Sequence, residues 1–211
     1  MSYLLAHPGA VAMLAIAHLA LVAAALATAL AIALPFGVAI ARNERASSIG
    51  LGVLGALYTI PSLALLALLV EVVGLGPAPV FVALVVYAQF VLVRNVVAGV
   101  RAVDPAQRDA ALGMGMSALQ RIGRVELPQA LPVIVGGARI AAVAMIALAT
   151  LGGYVGAGGL GSLIFIGFTL HHPDEIVAGS IAACTLAIGV DIALRMLERL
   201  TRTNQKVQRE A

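Results

Sequence analysis

Long stretches without a single charge leave this chain little choice of solvent. Residues 11–41 contain no Asp, Glu, Lys or Arg. A helix that crosses a bilayer needs about 20 consecutive apolar residues. Four further stretches reach that length, at about 49–73, 79–100, 131–151 and 175–197. Hydrophobic residues make up 62% of the chain and charged residues 11%, with a mean hydropathy of +1.05. Soluble domains are about half apolar, so a water-soluble fold of this size could not hide so much apolar surface. The sequence therefore predicts an all-α membrane protein with five transmembrane helices. The first run is longer than a span needs and predicts a tilted or partly interfacial helix. A shorter apolar piece, 160–170, is fenced by glycines and predicts a re-entrant or interfacial segment packed on protein.

The few basic residues act as topology signals. Arg42 and Arg45 separate the first and second spans, and Arg101, Arg108, Arg121 and Arg124 separate the third and fourth. Arg199, Arg202, Lys206 and Arg209 follow the fifth. The turn "GLGPAP" and the stretch "GAGGLGSLIFIGFTLHHPDE" carry none. The positive-inside rule then predicts an outer N-terminus and a cytoplasmic C-terminus. Arg94 and Arg139 fall inside spans, toward the same end, where they can snorkel or pair. A net charge of +3 is too small to argue for nucleic acid. Residues 1–10 contain no Lys or Arg, so no cleavable signal peptide is expected. Cys184 is the single cysteine, which excludes an intrachain disulfide, and its apolar surroundings predict a small packed core residue.

The exception to all this is the loop at about 101–130, which holds "DAALGMGMSALQRIGRVELPQALP". Asp104-Pro105 is a helix start, with Asp as cap and Pro in the first turn. A short helix follows, in which Ala110, Ala111 and Gly113 let another surface approach. Gly113 and Gly115 permit a turn. "MSALQRIGRVEL" predicts a second, amphipathic helix with Leu119, Ile122 and Val125 on one side. Gln120, Arg121 and Arg124 fall on the other. Leu127-Pro128 and Pro132 predict a bend back into the membrane. These features fit either a helix lying on lipid or a compact docking knob.

The loop resembles the signature of permease subunits of bacterial ATP-binding-cassette (ABC) importers. That signature is Glu-Ala-Ala, three residues, Gly, nine residues, then Ile-x-Leu-Pro. Here it reads Asp109-Ala110-Ala111, Gly115 and Val125-Glu126-Leu127-Pro128, with the spacing kept and two conservative departures. "YTIPSLALLALL", "GVRAVDPAQRDAALGMGMSALQRIGRVELPQALPVI" and "GAGGLG" look like the glycine betaine, carnitine and choline branch, over roughly residues 14–199. The resemblance implies one type I importer permease domain in the bacterial inner membrane. It also implies a second permease subunit, a cytoplasmic ATPase dimer and an external substrate-binding protein. In that setting the segment 109–119 is the coupling helix, with Asp109, Ala110, Ala111, Gly113, Gly115, Met116, Ser117 and Leu119 facing the ATPase. No GxxxxGK[ST] loop occurs, so ATP and magnesium are expected on the partner ATPase and no cofactor on this chain.

Candidates for the substrate pathway are few. A quaternary ammonium is held by aromatic faces, and aromatic residues are 4% of the chain. Tyr58, Tyr87, Phe90 and Tyr154 are near or within spans, and Pro61 breaks the second span and frees a carbonyl. Each aromatic also has an ordinary packing or interface role open to it. Glu71 is expected at the outer end of its span. Asp191 is expected to pair with Arg195 one turn on. Adjacent His171 and His172 chelate poorly, so no metal site is assigned. The same machinery for methionine, another amino acid or another quaternary ammonium solute remains an alternative. An ion-driven secondary transporter would require matched broken helices and buried carboxylates, which the sequence does not display. A membrane-embedded enzyme would require convergent His, Asp, Glu or Ser within the spans, and none is evident.

Overall fold

The computed structural model describes residues 2–210, with side chains over 3–201. Arg202, Lys206 and Arg209, used above as topology signals, have side chains outside the described residues. Ten α-helices run in order: α1 Ser2–Ala6, α2 Pro8–Ala41, α3 Glu44–Tyr58, α4 Ser62–Val73, α5 Pro77–Arg101, α6 Pro105–Gly113, α7 Ala118–Arg121, α8 Leu127–Thr150, α9 Leu160–Leu170 and α10 Pro173–Glu210. A π turn, Ile122–Glu126, joins α7 to α8, and a 3₁₀ turn, Leu151–Val155, follows α8.

Four of the described helices are long and apolar enough to cross a membrane, or five if α3 and α4 form one span. Helix α2 has 34 residues, about 51 Å at 1.5 Å per residue against a hydrocarbon core of about 30 Å. The second span differs from a single rod, because α3 and α4 meet at 87°. Pro61 is the cause. It lacks an N–H and disfavours helical backbone in the residue before it, so α3 stops at Tyr58 and α4 starts at Ser62.

The bundle is built around α5, with α2 and α8 on either side. Helices α3 and α4 flank α5, while α9 and α10 close over α8. Ala25, Ala29 and Ala33 are fully buried and recur every four residues, giving α2 a smooth stripe. In lipid, such stripes let helices approach closely, and side-chain amides add hydrogen bonds. Gln89 of α5 does so, donating to the Ala29 carbonyl at 3.2 Å and the Val85 carbonyl at 3.3 Å. His18, buried in α2, lies 3.1 Å from the Ile146 carbonyl of α8.

Helical structure continues through Pro128 and Pro132. Residues 118–155 form one continuous helical rod. The π turn ends just before Pro128, with the Leu127 N–H donating to the Ile122 carbonyl. Pro128 comes just after this turn, where the regular i−4 hydrogen-bond ladder is already interrupted. Pro132 lies inside α8, and neighbouring helices bury it. Asp191 pairs with Arg195 as expected, at 2.8 Å. Arg139 of α8 extends the pair, reaching Asp191 at 3.1 Å and Glu198 at 3.0 Å. Cys184 is exposed on α10, a correction to its predicted burial. Its neighbour Ala183 takes the inward position.

The connections 42–43 and 102–117 share one end of the bundle, where Arg42, Arg101, Arg108 and Arg121 line one cleft. At the other end the Gly76 N–H bonds the Val155 carbonyl at 2.8 Å, tying the α4–α5 turn to the 3₁₀ turn. There α9 crosses the 3₁₀ turn backbone to backbone. A Cβ on Gly161 would lie 2.1 Å from the Thr150 carbonyl oxygen. Gly161→Ala is expected to destabilise the detergent-solubilised protein by about 3 kcal/mol, the upper end of ordinary overpacking. Gly52→Ala, inside α3 with nothing within 4 Å of the added carbon, serves as control and is expected to leave the melting temperature level or slightly raised, since alanine favours helix over glycine.

Candidate functional site

Two places in the fold carry chemistry. The first is the segment 104–126 at the arginine-rich end. Asp104 caps α6 by accepting the Ala106 N–H at 2.9 Å, as its position before Pro105 predicts. The predicted turn is made by Gly115, with φ +75°, whereas Gly113 stays inside α6. Ser117 then starts α7 with a capping box: its hydroxyl accepts the Gln120 N–H at 3.3 Å while the Gln120 side chain accepts the Ser117 N–H at 2.9 Å. The segment is thus helix, glycine turn, helix start, and not one helix over 109–119.

Its side chains divide sharply. Ala111 is buried, and its carbonyl accepts the Met116 N–H at 3.1 Å. Ala110, Gly113 and Ser117 are exposed, and Met116 is half-buried. Leu112, Met114 and Leu119 are 53%, 69% and 83% exposed, three large apolar side chains left open within ten residues of chain. Ile122 and Val125 are half-buried while Leu119 stands free. The expected single apolar stripe is therefore split where the π turn begins. Asp109 lines a cleft of about 470 Å³ with Arg42, Arg101, Arg108 and Arg121.

Beneath that cleft lies a residue that sequence reasoning missed. Glu126 is fully buried, and its Oε1 accepts from Arg42 and from Arg121, the latter at 3.1 Å. It occupies the variable position of Val-x-Leu-Pro. An acidic side chain just where an apolar run begins, with arginines in two neighbouring connections, is the signal that could have found it.

The second place is the break in the α3–α4 pair. Tyr58 meets Tyr87 edge to face with centroids 5.8 Å apart, and stacks near Phe90 at 5.3 Å. The Tyr87 hydroxyl donates to the Ile60 carbonyl, which the break at Pro61 has deprived of a helical partner. A cavity of about 430 Å³ opens beside these rings, lined by Tyr58, Ser62 and Tyr87 and, from α8, by Ala141, Ala144 and Met145. No Asp, Glu, Lys or Arg lines it. Tyr58, Pro61, Tyr87 and Phe90 therefore converge. Tyr154 does not: it packs on Phe165 at 5.8 Å and is 71% exposed. Glu71 is exposed on α4.

These features define a multi-pass helical membrane protein with a helix–turn–helix segment at one end and a cavity free of charged side chains beside Tyr58 and Tyr87. The sequence profile of the family described as binding-protein-dependent transport system inner membrane component matches residues 33–203. The chain belongs to that family. It is 41% identical over 194 residues to the carnitine transport permease protein OpuCB of Listeria monocytogenes, covering 92% of this chain and 88% of the relative. It is 37% identical over 201 residues to the osmoprotectant import permease protein OsmW of Salmonella typhimurium, covering 93% and 94%. It is also 37% identical over 168 residues to the choline transport system permease protein OpuBB of Bacillus subtilis, covering 80% and 77%. A chain of the inward-facing MetNI methionine ABC transporter shares the fold, with a TM-score of 0.79 at 23% identity over 90% of this chain and 95% of that one.

The Tyr87–Ile60 bond gives a direct test of how the break is held. Tyr87→Phe keeps the rings and leaves that carbonyl without its partner, so the melting temperature in detergent is expected to fall by the equivalent of about 1–2 kcal/mol.

Proposed function

We propose that the chain is a permease subunit of an ATP-driven importer of osmoprotectants of the glycine betaine, carnitine and choline class. It pairs with a second permease subunit and receives substrate from an external binding protein. A cytoplasmic ATPase dimer, which binds the ATP and magnesium, drives it. In this reading α3 and α4 together make one of five spans, the N-terminus is outside, and the arginine-rich end is cytoplasmic. The single observation that carries the reading is the exposed Leu112, Met114 and Leu119 tip on the segment that bears the family spacing.

The mechanism follows from connectivity. From Ala118 to Met145 the chain is one helical rod, about 40 Å long at 1.5 Å per residue. An ATPase that moves the tip moves the cavity wall contributed by Ala141, Ala144 and Met145. A closing ATPase dimer thereby shifts the population between inward- and outward-open arrangements. Leu119→Glu places a charge in that contact and is expected to abolish co-purification with the ATPase, at least about 30-fold if the contact is a binding hot spot. Undiminished co-purification would remove the coupling assignment.

The cavity gives the substrate class its physical basis. A quaternary ammonium has an apolar skin of methyl groups and no N–H to satisfy, so the faces of Tyr58 and Tyr87 attract it without any hydrogen-bond acceptor being needed. Tyr58→Ala is expected to lower glycine betaine uptake by about 3- to 10-fold, the worth of one cation–π contact, while binding to the external binding protein is unchanged. Equal uptake by the variant would exclude Tyr58 from the pathway.

A further inference from the structure

A buried carboxylate that uses half of its acceptor capacity is an expensive thing to keep. Both known partners of Glu126 engage Oε1, while its Oε2 has no hydrogen-bond partner among the described residues. Buried ion pairs seldom add net stability over well-packed apolar side chains, so a stability role is a poor account of it. Its position is more telling. It is the last residue of the π turn, and π turns inside helices concentrate at functional sites.

The geometry of the cytoplasmic end shows what Glu126 joins. Helix α6 stands off from the bundle across the 470 Å³ cleft, with Ala41, Arg42 and Val100 on the bundle side and Asp109 and Leu112 on its own. Backbone continuity ties the segment to α5 through residues 102–104 and to α8 through the π turn. The Gln107–Gln129 hydrogen bond again leads to α8. Arg42 belongs to neither helix. It caps the end of α2, and its contact with Glu126 bridges 84 positions of sequence. Helix α2 is itself held to α5 and α3 at this end. Arg101 donates to the Ala41 carbonyl at 2.7 Å and to the Ser47 hydroxyl at 2.9 Å.

We propose that Glu126 is a positioning residue for the transport stroke: through Arg42 and Arg121 it couples the ATPase-facing segment to the end of the first long span. Movement of the tip then reaches α2 as well as α8, and both walls of the bundle core move together. The proposal rests on the reading of residues 105–121 as the ATPase-facing segment.

The test uses the complete importer, with its ATPase and binding protein, in liposomes. Uptake of radiolabelled glycine betaine and ATP hydrolysis are measured together for Glu126→Gln, Arg42→Gln and the double variant. Co-purification of the ATPase is expected to stay at the wild-type level, while ATP hydrolysed per substrate moved rises about threefold or more in each single variant. The double variant is expected to be no worse than the singles, since both remove one contact. A wild-type ratio in the single variants, or strictly additive losses, would overturn the proposal, as would a fall confined to yield and melting temperature. Arg42, with a side chain 38% exposed, keeps the test decisive if Glu126→Gln does not fold. If Leu119→Glu still binds the ATPase, the coupling assignment itself has failed. If Leu119→Glu releases the ATPase while Arg42→Gln keeps a normal ratio, the role of Glu126 alone is wrong.

Discussion

A backbone inside a bilayer has no water to receive an unpaired carbonyl, so every departure from regular helix needs a partner nearby. That constraint organises this protein. At Pro61 the helix breaks, and the Tyr87 hydroxyl takes the Ile60 carbonyl. Around Pro128 the helix continues, with the π turn shifting the hydrogen-bond register just before the proline. The two prolines have opposite outcomes for a physical reason. Pro61 is followed by a reoriented helix whose opening is closed by a tyrosine from α5. Pro128 is preceded by a turn that shifts the hydrogen-bond register before the missing N–H is reached.

The break and the survival together shape the machine. The 87° corner between α3 and α4 leaves the cavity beside Tyr58 and Tyr87. The unbroken rod from Ala118 onward forms the opposite wall. In the proposed importer, helical continuity from Ala118 through Pro128 is what would carry movement at Leu119 to that wall.

What the sequence made legible was what depends on local composition and spacing. The apolar runs predicted the long helices, Asp104-Pro105 the start of α6, and Gly115 the turn. Asp191 and Arg195 stand four residues apart, so their pairing could be read directly. Arg139 in the same network could not, because nothing local links position 139 to positions 191 and 198. Glu126 was hidden for the same reason: its partner Arg42 lies on another helix. Tyr58, Pro61, Tyr87 and Phe90 were each visible as candidates, but their convergence depends on the angle at the break. Tyr154 had the same chemistry and lies elsewhere, which shows that residue type selects candidates and only packing selects a site.

The distribution of strong and weak contacts bears on how such a bundle can move. The α2–α5 interface carries a stripe of alanines at 25, 29 and 33, and beside it Val96 seats at Gly37, where a Cβ would lie 2.6 Å from the valine. Arginine-mediated contacts gather at one end, Arg101 to Ala41 and Ser47, Glu126 to Arg42 and Arg121, Arg139 to Asp191 and Glu198, while Gln89 to Ala29, His18 to Ile146 and Tyr87 to Ile60 tie the middle of the bundle. Ion pairs and hydrogen bonds of this kind have discrete arrangements, and tightly packed elements switch between states more readily than they deform. In the proposed importer these contacts, at the arginine-rich end and in the middle, therefore decide which arrangement the bundle adopts.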